Sequence, residues 1–214
     1  MTERFYRLLS RSYTLKERDI GEFAQIKGKG MCFDVRAFDV ENGGSLCLLK
    51  MKGFFGLMKM ESVVFSPAFR DAPIYSCDEI AAFGADTLIL ELYDTTSTHP
   101  DFGELQQVKD SFASLPDHDH GTHWYDSIRL PVSVYKKGKK LQAAFSEMFE
   151  AYSAEYLRLM DQCRPCTPEE KKVLDEEYVL GLMKNGGPAV DQFIKMIGED
   201  KTAQFLKTVM FCCD

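Results

Sequence analysis

Two carboxylates in the stretch Leu57–Leu92 are spaced for proton chemistry. The run LMKMESVVFSPAFRDAPIYSCDEIAAFGADTLILEL reads as strands separated by turns. Alternation sets Met58, Met60 and Ser62 against Lys59, Glu61 and Val63, so Glu61 takes one face of a strand with Lys59 as its i−2 neighbour. Asp78 sits in a second β-like run, PIYSCDEI. A carboxyl on a sheet face covered by helices is desolvated, and its pKa rises. Glu61 and Asp78 are then candidate proton donors near neutral pH. The same pattern fits a solvent-facing Glu61 and an Asp78 that forms a turn.

Three other clusters carry reactive types. Asp117, His118, Asp119, His120 and His123 suit zinc or iron, but they fall in a polar interruption, SLPDHDHGTHW, at no metal-motif spacing. A solvated loop is expected there and no metal is assigned. Cys163-x-x-Cys166 has the spacing of half a zinc site or of a redox pair. No second half follows, so free thiols are expected. Lys136, Lys137, Lys139 and Lys140 form a compact basic patch, fitted to an acidic partner, a carboxylate or a phosphate, or else to a solvated turn. Walker, GxGxxG, GxSxG and HExxH patterns are absent, which removes the common nucleotide, hydrolase and metalloprotease readings.

The elements that must position these groups follow from periodicity. Phe5 to Ile26 reads as one or two short amphipathic helices. Strands are expected at Met31–Phe38, Ser45–Lys52, Leu57–Phe65 and Thr87–Leu92, with turns at Asn42-Gly43-Gly44 and Gly53–Gly56. Short links make them antiparallel neighbours. Phe102 to Leu115 and Leu141 to Met160 trace helix faces. Thr167-Pro168-Glu169-Glu170 is a capping-box start, and a last helix begins near Pro188. Tyr135–Lys140 reads as a second polar interruption. Strands followed by helices indicate an α+β protein, with helices on both faces of one sheet.

The 214 residues, 45% hydrophobic and 28% charged, fit one domain spanning 1–214. No apolar stretch approaches the length of a membrane span. A net charge of −7 argues against general nucleic-acid binding. Seven cysteines, an odd number, and a charged N-terminal stretch point to free thiols in the cytoplasm.

Residues Glu61–Ile80 resemble the signature segment of the ferredoxin-dependent bilin reductases. The resemblance lies in Phe65-Ser66-Pro67, Pro73-Ile74-Tyr75, Cys77 and Asp78, and in the hydrophobic strand Thr87–Leu92 ending near Glu91 or Asp94. Phe205 to Phe211 is similar to the aromatic-rich terminal motif of these enzymes. The resemblance implies a three-layer α/β/α sandwich with a central antiparallel sheet and an open-chain tetrapyrrole held between the sheet and the C-terminal helices. It implies no flavin, nicotinamide or metal cofactor, single electrons from ferredoxin, and protons from the protein. The chain would act as a monomer or weak dimer.

Under the resemblance, Asp78 takes the place of the central catalytic aspartate. Glu61 falls where the phycocyanobilin-forming branch has a histidine, and near Leu49–Met51 only Lys50 stands where that branch has a glutamate. Asn185 or Asp191 lies near a second acidic or amide position. Met58, Met60 and Phe65 would line the bilin, Lys184, Arg129 and the Lys136–Lys140 patch are candidate cations for its propionates, and that patch, joined by Lys27 and Lys29, would also dock ferredoxin. These departures leave room for a chlorophyll-catabolite reductase, or for a carrier or sensor that binds a tetrapyrrole without reducing it.

Overall fold

The structure, a computed structural model, describes residues 1–213. All strands join one antiparallel sheet. In chain order they are β1 (Leu15–Glu17), β2 (Gln25–Gly28), β3 (Met31–Val40), β4 (Gly44–Gly53), β5 (Met58–Pro67), β6 (Ile74–Ala82), β7 (Ala85–Tyr93) and β8 (Val134–Gly138). The order across the sheet is β1-β3-β4-β5-β6-β7-β8, and β2 shares the outer edge of β3 with β1. From β3 to β7 each strand pairs with its predecessor through a short turn, as the alternating pattern and the Asn42–Gly44 turn predict.

The helices are α1 (Thr2–Leu9), α2 (Gly103–Ser111), α3 (Gln142–Gln162), α4 (Pro168–Asn185), α5 (Pro188–Ile197) and α6 (Glu199–Gln204), the last continued by a π-helical turn, Phe205–Met210. The α4 start follows from its sequence. Thr167 Oγ1 accepts from Glu170 N at 3.2 Å, and Glu170 Oε2 accepts from Thr167 N at 3.0 Å.

Strand alternation sends two sets of apolar side chains to opposite faces. One face packs beneath α1, α2 and α3 and is filled by Phe5, Phe65, Tyr75, Phe145 and Tyr156. Phe5 stacks on Tyr75 with ring centres 5.0 Å apart, and Tyr75 meets Tyr156 at 4.8 Å. Buried hydroxyls there are satisfied: Tyr75 Oη shares a hydrogen with Ser153 Oγ at 2.8 Å, and Tyr156 Oη donates to Pro73 O at 2.8 Å. The opposite face carries Phe33, Leu49, Met51 and Val64 against α4, α5 and the π-helical turn. There Phe33 meets Phe193 at 5.0 Å, and Phe193 meets Phe205 at 4.9 Å. Arg18 Nη1 and Nη2 donate to Thr208 O and Val209 O, tying the terminal turn down to the segment after β1. The result is a sheet between two helical layers, the expected α+β three-layer sandwich.

Three expectations are corrected. Phe5–Ile26 is helical only through Leu9 and in a short 3-10 turn at Gly21–Ala24, and its remainder supplies the edge strands β1 and β2. The last helix breaks at Gly198, whose φ of 83° ends α5. Tyr135–Lys140 falls largely on β8, whose outer edge is covered by the Pro116–His118 segment through His118 N to Tyr135 O and Lys137 N to Pro116 O.

Candidate functional site

Between the α4–α5 layer and its face of the sheet lies a cavity of about 530 Å³. Its floor is the even-numbered set on β5 and β6: Met58, Met60 and Ser62, then Ser76, Asp78 and Ile80. Tyr178 and Leu182 of α4, Phe193 of α5, and Leu206, Met210 and Phe211 close the other side. The loop before β8 brings His118, His120, His123 and Tyr125 to the rim. That loop is pinned to α4 by Trp124, whose Nε1 donates to Gly186 O at 2.9 Å. The indole lies where a Cβ on Gly181 would stand, only 2.4 Å from its ring, so glycine is required at that helix position.

Asp78 occupies the middle of the floor, directly opposite Ser62 on β5 and Ile89 on β7. Burial raises its carboxyl, a hydrogen bond from Ser62 lowers it, and repulsion from Glu91 raises it again, leaving it at about 6. Glu91 faces the same cavity from β7, where it pairs with Ser76. It is buried, accepts from Tyr93 Oη at 2.6 Å, and accepts a second hydrogen bond from Tyr135 Oη. Arg129 Nη1 stands 3.9 Å from the Glu91 carboxylate and pairs with Asp126 at 2.8 Å. Burial holds the Tyr93 and Tyr135 phenols well above the ordinary tyrosine value, so both remain neutral donors. The site is therefore an apolar slot with an acid raised to about 6 at its centre and a hydrogen-bonded carboxyl group, Glu91, beside it. Such an acid can give a proton to a basic ligand atom and recover one at neutral pH.

The rim histidines are organised by the protein itself. Arg129 Nη2 lies 2.9 Å from His120 Nε2, and His123 Nε2 lies 2.9 Å from His120 O. The His120 ring rests on Tyr135 at 4.0 Å, and the His123 ring stacks on Tyr125 at 4.9 Å. Asp117 pairs with Lys136 at 2.7 Å, and Asp126 accepts from His123 N. Among the described residues no group of three or more His, Cys, Asp and Glu side chains comes together to hold a metal. The expected solvated loop is instead a half-buried wall of the cavity. Cys163 is buried, which pushes its thiol up to about 11, away from thiolate chemistry at neutral pH.

The structure sorts the residues singled out from sequence. Asp78, Met58 and Met60 come together in the cavity. Glu61 does not: it points to the α1 side, where its Oε2 accepts from Thr2 N at 2.7 Å and Thr2 Oγ1 at 2.9 Å and lies 2.8 Å from the Met1 ammonium. The reason is the period of the strand. Ser62, not Glu61, shares a face with Met58 and Met60 and stands opposite Asp78. Phe65 has the same odd parity and is sealed in the core against Phe5 and Tyr156.

Lys184 and Asn185 are exposed at the end of α4, outside the cavity lining. Asp191 is exposed and turns back to Gly187 N at 3.4 Å, leaving Gln192 to line the slot. Lys136 is buried, donating to Leu115 O and Asp117, while Lys137, Lys139 and Lys140 are exposed. Pattern reading missed Tyr135, Tyr93 and the role of Glu91. The signal was the parity of Ile89, Glu91 and Tyr93, which matches Asp78 once the β6–β7 turn fixes the register.

No protein-family model matches the sequence, and no curated protein matches it. Among solved structures, the fold is similar to that of phytochromobilin synthase from tomato, determined in complex with biliverdin. The TM-score is 0.74 at 15% identity, covering 99% of this chain and 82% of the other. The resemblance read from the Asp78 segment thus extends to the fold of the whole chain.

Proposed function

We propose that this protein reduces an open-chain tetrapyrrole in the cavity, with Asp78 as the proton donor. The observation that carries the reading is the Asp78 carboxyl, held near neutrality at the centre of a mostly apolar slot. A bilin is a long conjugated chain with basic nitrogens near its middle and two carboxylates, so it needs apolar walls and few polar groups. The fold similarity to phytochromobilin synthase, solved with biliverdin, supports the same ligand class.

Reducing one double bond takes two electrons and two protons. Asp78 protonates the bound bilin, which makes it easier to reduce. A first electron then gives a neutral radical, and a second electron with a second proton completes the new C–H bonds. Asp78 recovers its proton from solvent across the histidine rim. Glu91 accepts hydrogen bonds from Tyr93 and Tyr135 beside Arg129, and its repulsion raises the Asp78 carboxyl, which favours a protonated Asp78. The electrons come singly from ferredoxin, an acidic protein that Lys137, Lys139 and Lys140 attract, and the protein needs no redox cofactor of its own. Among the described residues no Lys or Arg side chain lines the cavity, so the propionates lie at the rim, near His118, His120, His123 and Arg129.

Anaerobic titration with biliverdin, followed by reduced ferredoxin, tests this. The expected result is a shifted bilin spectrum that moves to shorter wavelength on reduction. A shift with no reduction identifies a carrier or another bilin. No shift with folded protein rejects the reading.

A further inference from the structure

We propose that the end of the sheet formed by the β2–β3, β4–β5 and β6–β7 turns docks on an anionic lipid bilayer, inserting its aromatic tips. This inference does not rest on the bilin reading. Phe54, Phe55, Leu57 and Phe83 are 43%, 109%, 61% and 71% exposed, and among the described residues the other large exposed apolar side chains are Val173 and Leu180 of α4. The Phe54 and Phe83 rings lie 6.1 Å apart, so two separate turns present one cluster. Phe54, Phe55 and Phe83 hold φ values of 52°, 56° and 50°, a region that glycine or asparagine enters more easily. Bulky rings thus occupy strained turn positions and point into solvent, where they add nothing to the core.

The exposed charges nearest the tips are positive, on a protein of net charge −7, and the carboxylates of Asp34 and Glu79 lie two residues further back, opposite Lys50 and Glu61. Lys27 and Lys29 flank the β2–β3 turn, and Lys52 and Lys59 stand on the two stems of the β4–β5 turn. All four are exposed, and among the described residues none of them enters an ion pair. Lys52 and Lys59 pair directly across the ladder, like charge opposite like, an arrangement that an anionic surface relieves. The carboxylate nearest the β6–β7 turn, Asp86, is buried and turned inward to Leu141 N and the Gln142 side chain.

The spacing matches a bilayer interface. Lys52 lies two residues behind Phe54, roughly 7 Å along a strand, so tips at the acyl boundary place the ammonium groups at headgroup level. The Phe54, Phe55 and Phe83 side chains themselves offer a protein partner no hydrogen bonds. Acyl chains and anionic headgroups require only apolar surface and positive charge. Met31, Phe54 and Met58 also line this end of the cavity, so docking sets that end against the membrane.

Flotation of the full chain with vesicles tests the proposal. The protein is expected to float with phosphatidylcholine vesicles containing about one-third phosphatidylserine, and to remain behind with phosphatidylcholine alone. Phe55→Ser with Phe83→Ser, outside the cavity lining, is expected to weaken vesicle binding about tenfold or more. Lys52→Gln with Lys59→Gln is expected to weaken it by a similar factor at low salt. Both double variants should keep the wild-type biliverdin titration and melt no lower than wild type, the lysine variant slightly higher, so loss of docking and loss of the cavity's function are read separately. Folded wild-type protein that ignores the phosphatidylserine vesicles overturns the proposal. So does a phenylalanine variant that floats like wild type. Self-association of the wild type that the phenylalanine variant abolishes, with no flotation of either, also overturns it and assigns the patch to a second copy of the chain.

Discussion

Glu61 and Asp78 sit on adjacent strands, in sequences of similar polarity, yet they face opposite layers and have opposite chemistry. On the α1–α3 side, burial alone would raise the Glu61 carboxyl. Hydrogen bonds from the Met1 ammonium and from Thr2 outweigh it and bring the group down to about 2. On the α4–α5 side, Asp78 receives only the Ser62 hydrogen bond against burial and the Glu91 charge, and rises to about 6. The dry face is filled by side chains from α1, α2 and α3, while the other leaves a slot of about 530 Å³. A carboxylate given enough donors becomes part of the scaffold, and one left short of them in an apolar slot becomes an acid.

Substitutions on the two faces should therefore separate activity from stability. The largest effect is expected for Asp78→Asn, which should lower bilin turnover about 10²-fold or more while leaving bilin binding intact, measured by single-turnover absorbance. The same change should stabilise the protein by about 2 kcal/mol above pH 7, read by denaturant unfolding. A carboxyl raised on folding favours the folded state below the ordinary aspartate value, and that contribution is lost as the pH climbs through about 6.

On the dry face, Phe65→Ala should cost about 3–4 kcal/mol of stability through the cavity it leaves. Met60→Ala, beside the slot, should cost much less stability and weaken bilin binding instead. Smaller shifts should follow from the neighbours of Asp78. Ser62→Ala removes the bond that lowers its pKa and should move the pH–rate profile upward. Glu91→Gln removes the charge that raises it and should move the profile downward. The smallest effect is expected for Glu61→Gln: about 1 kcal/mol of stability at neutral pH, discounted for partial exposure. That difference from wild type should vanish as the pH falls from the ordinary carboxylate range toward 2, and the pH–rate profile should not change.

Much of this architecture was legible in the sequence, because period-2 alternation and turn residues report strands directly. The α4 capping box and the β3–β7 meander follow from Thr167, Glu170, Asn42 and Gly43 without tertiary knowledge. Asp78 was legible through its segment. Glu61 and Phe65 take the opposite face because their parity opposes that of Met58 and Met60, a difference that residue type alone does not report. Tyr135 and the rim histidines were hidden for another reason. Their placement depends on long-range contacts, such as Trp124 against Gly181 and Arg129 against Glu91, that no local pattern encodes.

The central claim is that the cavity holds an acid poised near neutrality while its neighbour across the sheet is fully ionised. Carboxyl carbon NMR of the ligand-free protein across pH, assigned with Asp78→Asn and Glu61→Gln, measures this directly. The account predicts an Asp78 midpoint of about 6 and a Glu61 midpoint of about 2. An Asp78 midpoint in the ordinary aspartate range, about 4, would contradict it.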